Sequence, residues 1–322
     1  IPILAFSLNA AILTNNGATI TIGEGVTLKV DGDFENNGGA VINNGTYATS
    51  GNFWGNPFLS GTNITYFGDG EVDGNINYNT LTIEGDNYLA SYQVINVTNL
   101  IVSGNFNISA YVNIGLTFSR ENGGDISGDS YLEIQYSGSA EMTNVKNLGF
   151  IISHPNLGNS LIRRYADMVD NNDRVSLNGY FEAHLPLEPD SHQLLNIGIV
   201  LEEQDLNGMD LEKLSIFSSQ DLDTWIPIGG IVENEYIMLD EIPYELFQDN
   251  GNFYGYFTVG QRGCVDETAA NYDAMAFGGD YDCNYDFTNN LHSGANLVSF
   301  YSIDDNNSTV QNVMSSLTQC YE

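Results

Sequence analysis

Residues 99–108 read Asn99-Leu100-Ile101-Val102-Ser103-Gly104-Asn105-Phe106-Asn107-Ile108, and the phrasing recurs upstream. Ala18-Thr19-Ile20-Thr21-Ile22, Val26-Thr27-Leu28-Lys29-Val30-Asp31-Gly32-Asp33-Phe34, Ala40-Val41-Ile42-Asn43-Asn44-Gly45-Thr46-Tyr47 and Thr80-Leu81-Thr82-Ile83-Glu84-Gly85 are variants of it. Each is a short run rich in β-branched residues with period-two alternation, closed by Gly, Asn or Asp. No amphipathic helical pattern interrupts the series between Ala18 and Val145. It is too long and monotonous for one sandwich sheet, and it reads as the coils of a parallel β-solenoid. A coil of roughly 20–25 residues gives about five or six turns, stacked about 4.8 Å apart. A β-sandwich is the alternative architecture, but sandwiches carry tighter hairpin signals than these.

The alternation turns Val30, Ile64, Leu81, Val94, Leu100 and Leu116, among others, toward the solenoid interior. Asn36, Asn43, Asn77 and Asn107 fall at corners, where stacked amides hydrogen-bond up a ladder. Trp54, in Gly51-Asn52-Phe53-Trp54-Gly55, is the candidate exposed aromatic and ligand contact. Trp225, at a strand end, reads as a core residue.

The chain has 322 residues, of which 42% are hydrophobic and 16% charged. Eight Lys and Arg stand against 42 Asp and Glu, a formal charge of −34. That balance argues against nucleic acid, which needs a basic patch to neutralise phosphate, and against an anionic membrane surface. It favours cations, above all calcium, which takes oxygen ligands. No apolar run reaches the roughly 18 residues of a membrane span. The first charge is Glu24, and Ile1–Leu13 reads as the tail of a signal segment, a solenoid cap or a strand given to a neighbour. Cys264, Cys283 and Cys320 allow one pair and leave one thiol for an intermolecular contact.

Catalysis has little to rest on in the solenoid. Asp31/Asp33 and Asp69/Asp73 are the candidate carboxylate pairs of a glycan hydrolase, but each sits in a Gly-flanked turn, where Asp is expected for backbone reasons. All four histidines lie outside the segment, at His154, His184, His192 and His292.

A Pro/Gly/Asn-rich boundary at His154–Ser160 leads into longer alternating strands with turns at Asn207-Gly208 and Gly229-Gly230, an antiparallel β-sandwich rhythm. The expected organisation is a β-solenoid over 1–153, a β-sandwich over 154–260, an acidic Cys-closed loop over 261–286 and a partial strand–helix module over 287–322. In the last, Val310, Val313, Met314 and Leu317 mark the helix face.

The solenoid resembles the Gly/Asn-rich segments of large secreted bacterial surface proteins. Leu206-Asn207-Gly208, Leu214-Ser215-Ile216-Phe217 and the run from Trp225 to Gly230 resemble the domain that follows such solenoids in type IX-secreted surface proteins. Gly263-Cys264-Val265-Asp266, with Ala269, Asn271-Tyr272-Asp273, Ala276, Asp280 and Cys283, resembles a short acidic repeat of secreted proteins of marine and gliding bacteria. Gly279, Tyr281 and Asp282 depart from that repeat. The resemblance implies a loop closed by Cys264–Cys283. Chemistry adds Ca²⁺ on Asp266, Asn271, Asp273, Asp280 and Asp282.

The reading expected from the sequence is an extracellular, cell-surface structural or adhesive protein without catalytic activity. Its partners are copies of itself end to end, neighbouring modules of a longer precursor, or glycans. It binds no nucleic acid and does not insert into a membrane. A carbohydrate-binding module is the second reading, and a solenoid polysaccharide-degrading enzyme the third. The acidic loop predicts that millimolar calcium raises the melting transition of its module by binding the folded state. Scanning calorimetry with and without chelator checks this, and an unchanged transition contradicts it.

Overall fold

The computed structural model describes residues 6–55, 61–90, 94–137, 142–153, 160–166, 176–177, 179–186, 194–206, 208–243, 248–249, 252–278 and 283–285. The expected C-terminal module over 287–322, with Cys320 and its helix, lies outside the described residues, as do Asp280 and Asp282. The architecture is all-β, and its N-terminal part is a parallel β-solenoid.

Eight strands stack in parallel in chain order: Phe6–Asn15, Thr27–Asn36, Thr46–Thr49, Asn63–Tyr66, Tyr78–Ile83, Ile95–Val102, Val112–Arg120 and Tyr131–Tyr136. Phe6 pairs with Leu28, Tyr47 with Ile64 and Val112 with Leu132, so a coil advances 22, 17 and 20 residues at these steps. The other steps, Leu28 to Tyr47, Ile64 to Leu81, Leu81 to Leu100 and Leu100 to Phe118, advance 19, 17, 19 and 18 residues, so most coils are shorter than the spacing read from the sequence and the segment fits more of them. Seven steps of about 4.8 Å give a stack about 34 Å long. A second parallel sheet, Gly70–Glu71, Asp86–Leu89, Asn105–Ile108 and Asp125–Ser127, covers another side of the coils.

Register turns the sequence pattern into columns. Tyr47, Ile64, Leu81, Leu100 and Phe118 stack one above the next, and all are buried. Beside them run Val30, Thr49, Tyr66, Ile83 and Val102, and that column ends in Arg120. Each fully buried aliphatic side chain contributes about 1.5–3 kcal/mol, and its neighbours in the column come from the adjacent coils.

Two expected inward residues face outward: Val94 is 42% exposed and Leu116 60% exposed. Val94 precedes the strand that begins at Ile95. Leu116 lies where the register slips between Val97/Asn99 and Ile114/Thr117. A bulge adds a residue and reverses the alternation, and Lys146 Nζ donates to the Gly115 carbonyl there at 2.6 Å. Phe6–Asn15, part of the stretch expected as a cap or a donated strand, occupies the first position of the chain's own sheet.

The sheet does not stop where a separate domain was expected to begin. Ser160–Tyr165 pairs antiparallel with the last coil strand, and Tyr180–Pro186, Asn252–Arg262, Leu214–Ser219 and Ile226–Gly229 extend it. Phe150–Ser153, placed in the solenoid from the sequence, pairs instead with Leu194–Val200 in a second antiparallel sheet that includes Tyr236–Pro243 and Ile231–Glu233. Phe150 meets Phe181 at 5.4 Å and Phe257 at 5.6 Å between ring centres, joining the two sheets, and one hydrophobic core runs from coils to lobe.

Two polar devices secure the junction. Asp205, 1% exposed, takes both terminal nitrogens of Arg120 and Arg164 Nη2 at 3.2 Å, while Arg164 Nη1 donates to the Leu148 carbonyl at 3.0 Å. Burial weighs against the Arg120 charge, and bidentate pairing with Asp205 outweighs it and raises its pKa. Burial and the neighbouring Arg120 charge instead pull Arg164 down to about 10. On the outer face, Tyr111, Tyr131, Tyr165 and Tyr180 form a ladder with ring centres 5.4, 5.1 and 4.4 Å apart. At its centre the buried Glu182 carboxylate accepts from Tyr165 Oη and His184 Nε2, both at 2.6 Å, and from Arg163 Nη1 at 3.1 Å.

Asp205→Ala leaves the buried Arg164 guanidinium without its paired carboxylate and Arg120 with only the more exposed Glu202 at 2.7 Å, so urea denaturation should show a loss of about 3–5 kcal/mol. A loss below about 1 kcal/mol contradicts the clamp. For Glu182, burial pushes the carboxyl up, but the Tyr165, His184 and Arg163 donors outweigh it and hold it below its usual range. A folded pKa below the unfolded value adds stability above about pH 4.3, lost as pH falls toward the folded value. Urea midpoints should fall through that window in the native protein and be flatter there in Glu182→Gln.

Candidate functional site

Trp54 stands on the short strand Phe53–Gly55, parallel to the end of Thr27–Asn36 with Trp54 opposite Glu35. Alternation separates the two aromatic residues. Phe53 turns inward, 4.9 Å from Phe34 and 5.8 Å from Tyr47 between ring centres. Trp54 turns outward and is 55% exposed. The buried Phe53 fixes the strand that presents it.

Trp54 borders a groove of about 260 Å³ that Asn52, Glu71, Asp73 and Asn75 also line. The groove wall is built by hydrogen bonds between coils. Asn52 N donates to Asp33 Oδ1 at 2.7 Å, and Asn52 Oδ1 accepts from Glu71 N at 3.2 Å. Asp73 Oδ1 accepts from Asn75 N and Nδ2, both at 2.9 Å. Beneath this turn, Tyr78 Oη donates to the Asp73 carbonyl at 2.8 Å, and Tyr66 Oη accepts from Asp73 N at 3.3 Å. The two hydroxyls lie 3.1 Å apart. Burial pushes the Tyr66 hydroxyl up to about 12 and Tyr78 well above its ordinary value, so both stay neutral near pH 7. The site therefore offers an aromatic face, carboxylate acceptors and amides on a fixed backbone. Among the described residues, none that lines it is basic.

Of the Asn residues expected at corners, Asn77 stands in an amide ladder, with Asn96 and Asn113, which that expectation did not include. Asn113 Nδ2 donates to Asn96 Oδ1, and Asn96 Nδ2 to Asn77 Oδ1, each at 3.0 Å. Beside them Asn79 donates to Asn63 at 2.8 Å. These amides satisfy one another along the coil stack. Asn36 and Asn43 turn inward and are buried. Of the two candidate catalytic pairs, Asp31 and Asp33 lie within the strand Thr27–Asn36 rather than in the expected turn. Their carboxylates tie coils together, Asp31 accepting from Ser50 Oγ at 2.8 Å and Asp33 from Asn52 N. Asp69 likewise accepts from Asp86 N at 3.2 Å, whereas Asp73 accepts from Asn75 within its own turn.

In the acidic loop, Cys264 and Cys283 form the disulfide that the resemblance implied, with Cα atoms 4.7 Å apart. Ala276–Gly278 adds a parallel strand beside Asn252–Arg262, tying the loop to the lobe. The described candidate ligands make separate sets of contacts. Asp266 accepts from Thr268 N at 2.8 Å and Tyr285 Oη at 2.6 Å, and Asn271 Oδ1 accepts from Asn284 N at 2.6 Å. Asp273 Oδ2 accepts from Lys213 Nζ and Gln261 Nε2, both at 2.8 Å. The Tyr285 hydroxyl lowers the Asp266 pKa, and Lys213 lowers that of Asp273. Among the described residues, no group of three or more His, Cys, Asp and Glu converges as a metal site.

Trp225 is buried against Phe217 and Phe277. The Glu182 hub and its tyrosine ladder escaped the sequence reading, because its members come from separate strands whose pairing no local pattern reveals. Comparison with protein-family models, curated proteins and solved structures gave no match.

Asp273→Asn removes the charged anchor between the disulfide loop and the lobe. Reduction of Cys264–Cys283 by dithiothreitol should become several-fold faster, with the lobe's urea midpoint unchanged. An unaltered reduction rate contradicts the anchoring role.

Proposed function

We propose that this chain is a secreted structural and adhesive surface protein, a stiff β-solenoid stalk built onto a sandwich-type lobe and without catalytic activity. The observation that carries the reading is the unbroken path of sheet and core from the coils into the lobe, closed by the Asp205 clamp. A continuous β-sheet with a common core resists bending at the junction, which suits a stalk. The disulfide fits an oxidising compartment, and the charge of −34 keeps such a surface soluble. Copies of the chain or neighbouring modules are its proposed partners, and calcium on the acidic loop rests on that loop's composition.

Labelling intact producer cells with an antibody to the lobe tests the reading. Signal before permeabilisation supports it, whereas signal only afterwards contradicts it. Polysaccharide cleavage lost in Asp73→Asn would contradict the absence of catalysis.

A further inference from the structure

We infer that the Trp54 groove is a binding site for pyranose rings of a neutral, uncharged glycan. A sugar ring presents an apolar C–H face and equatorial hydroxyls. The exposed Trp54 indole offers the matching flat apolar surface. Glu71 and Asp73 offer carboxylate acceptors for hydroxyl donors, and Asn52 and Asn75 bring amides to the same groove. Hydrogen bonds to charged acceptors are stronger than neutral ones, and a few fixed polar groups beside an apolar wall give a pocket its specificity.

Charge selects the class of glycan. Glu35 lies across from Trp54 in the paired strand, Glu71 and Asp73 line the groove, and no described lining residue is basic. A uronate or sulfated sugar would meet like charge there. An alkylammonium ion is the competing occupant for an aromatic residue beside carboxylates. Recognition of such ions uses cages of several aromatic faces. Here Phe53 is turned into the core, so among the described residues lining the groove Trp54 offers the one open aromatic face. The groove volume, about 260 Å³, suits a sugar ring or two better than a small cation.

The site is held in place before any ligand arrives. Phe53 is locked against Phe34 and Tyr47 behind Trp54, and the Tyr66–Tyr78 hydroxyl pair holds the Asp73 turn. A rigid platform lowers the ordering cost of binding. The inference names a ligand class for the adhesive reading, but binding in solution does not depend on where the protein resides.

Isothermal titration of the intact chain tests it with cellohexaose, xylohexaose and mannohexaose, oligomers of alginate and polygalacturonate, and tetramethylammonium. Binding is expected for at least one neutral hexaose and for none of the other probes. Trp54→Ala should weaken it roughly tenfold or more, Trp54→Phe should weaken it less, and Asp73→Asn should weaken it several-fold. Circular dichroism checks that each variant keeps its fold. No neutral binding, binding unchanged in Trp54→Ala, or equal binding of the anionic or ammonium probes overturns the inference. Neutral binding by a protein found inside cells would leave the site standing and remove the stalk.

Discussion

A parallel coil cannot satisfy its own backbone. Each strand of the solenoid offers N–H and C=O groups along both edges, and buried groups of this kind need partners. The coils supply them to one another until Tyr131–Tyr136, and there Ser160–Tyr165 reverses direction and covers the edge. The inward column of Val30, Tyr66, Ile83 and Val102 ends at the same place in Arg120, whose side chain is 4% exposed. A cation at the end of an apolar column requires a buried counter-ion. Asp205 comes from the lobe and serves Arg164 as well. Sheet closure and charge closure thus meet at one junction, which makes coil and lobe interdependent.

The same stacking builds the groove. Trp54 faces solvent because Phe53 is needed inside, and Phe53 is held by an aromatic cluster spanning successive coils. Glu71 and Asp73 reach the groove from the following coil, fastened through Asn52 and the buried tyrosine pair. A surface loop of the same composition would lack this definition.

Much of the solenoid was legible because its period-two alternation is strict and its punctuation regular, as in Leu100-Ile101-Val102-Ser103-Gly104. Leu116 misled because a bulge shifts the period by one residue, and nothing in the local sequence marks the insertion. Tyr47, Tyr66 and Tyr78 were not read as core, yet they are among the largest fully buried side chains. Their hydroxyl partnerships depend on which coils become neighbours. Trp54 was legible as exposed from its Gly-rich surroundings, whereas its carboxylate neighbours lie one coil away and no spacing rule reveals them. A boundary was read at His154–Ser160, but the continuity of the sheet beyond it was not legible, because antiparallel pairing of residues about thirty positions apart leaves no local signature.

The most direct test of this account is a urea titration that follows coil and lobe in the same sample. In a Trp54→Phe background, Trp225, packed on Phe217 and Phe277, is the remaining tryptophan and reports the lobe by fluorescence. The amides of Leu81, Leu100 and Val102 report the coils by hydrogen exchange. The account predicts one cooperative unit, with both probes losing structure at the same urea concentration. Coil amides that remain protected after the Trp225 transition is complete, or that exchange well before it, would contradict it.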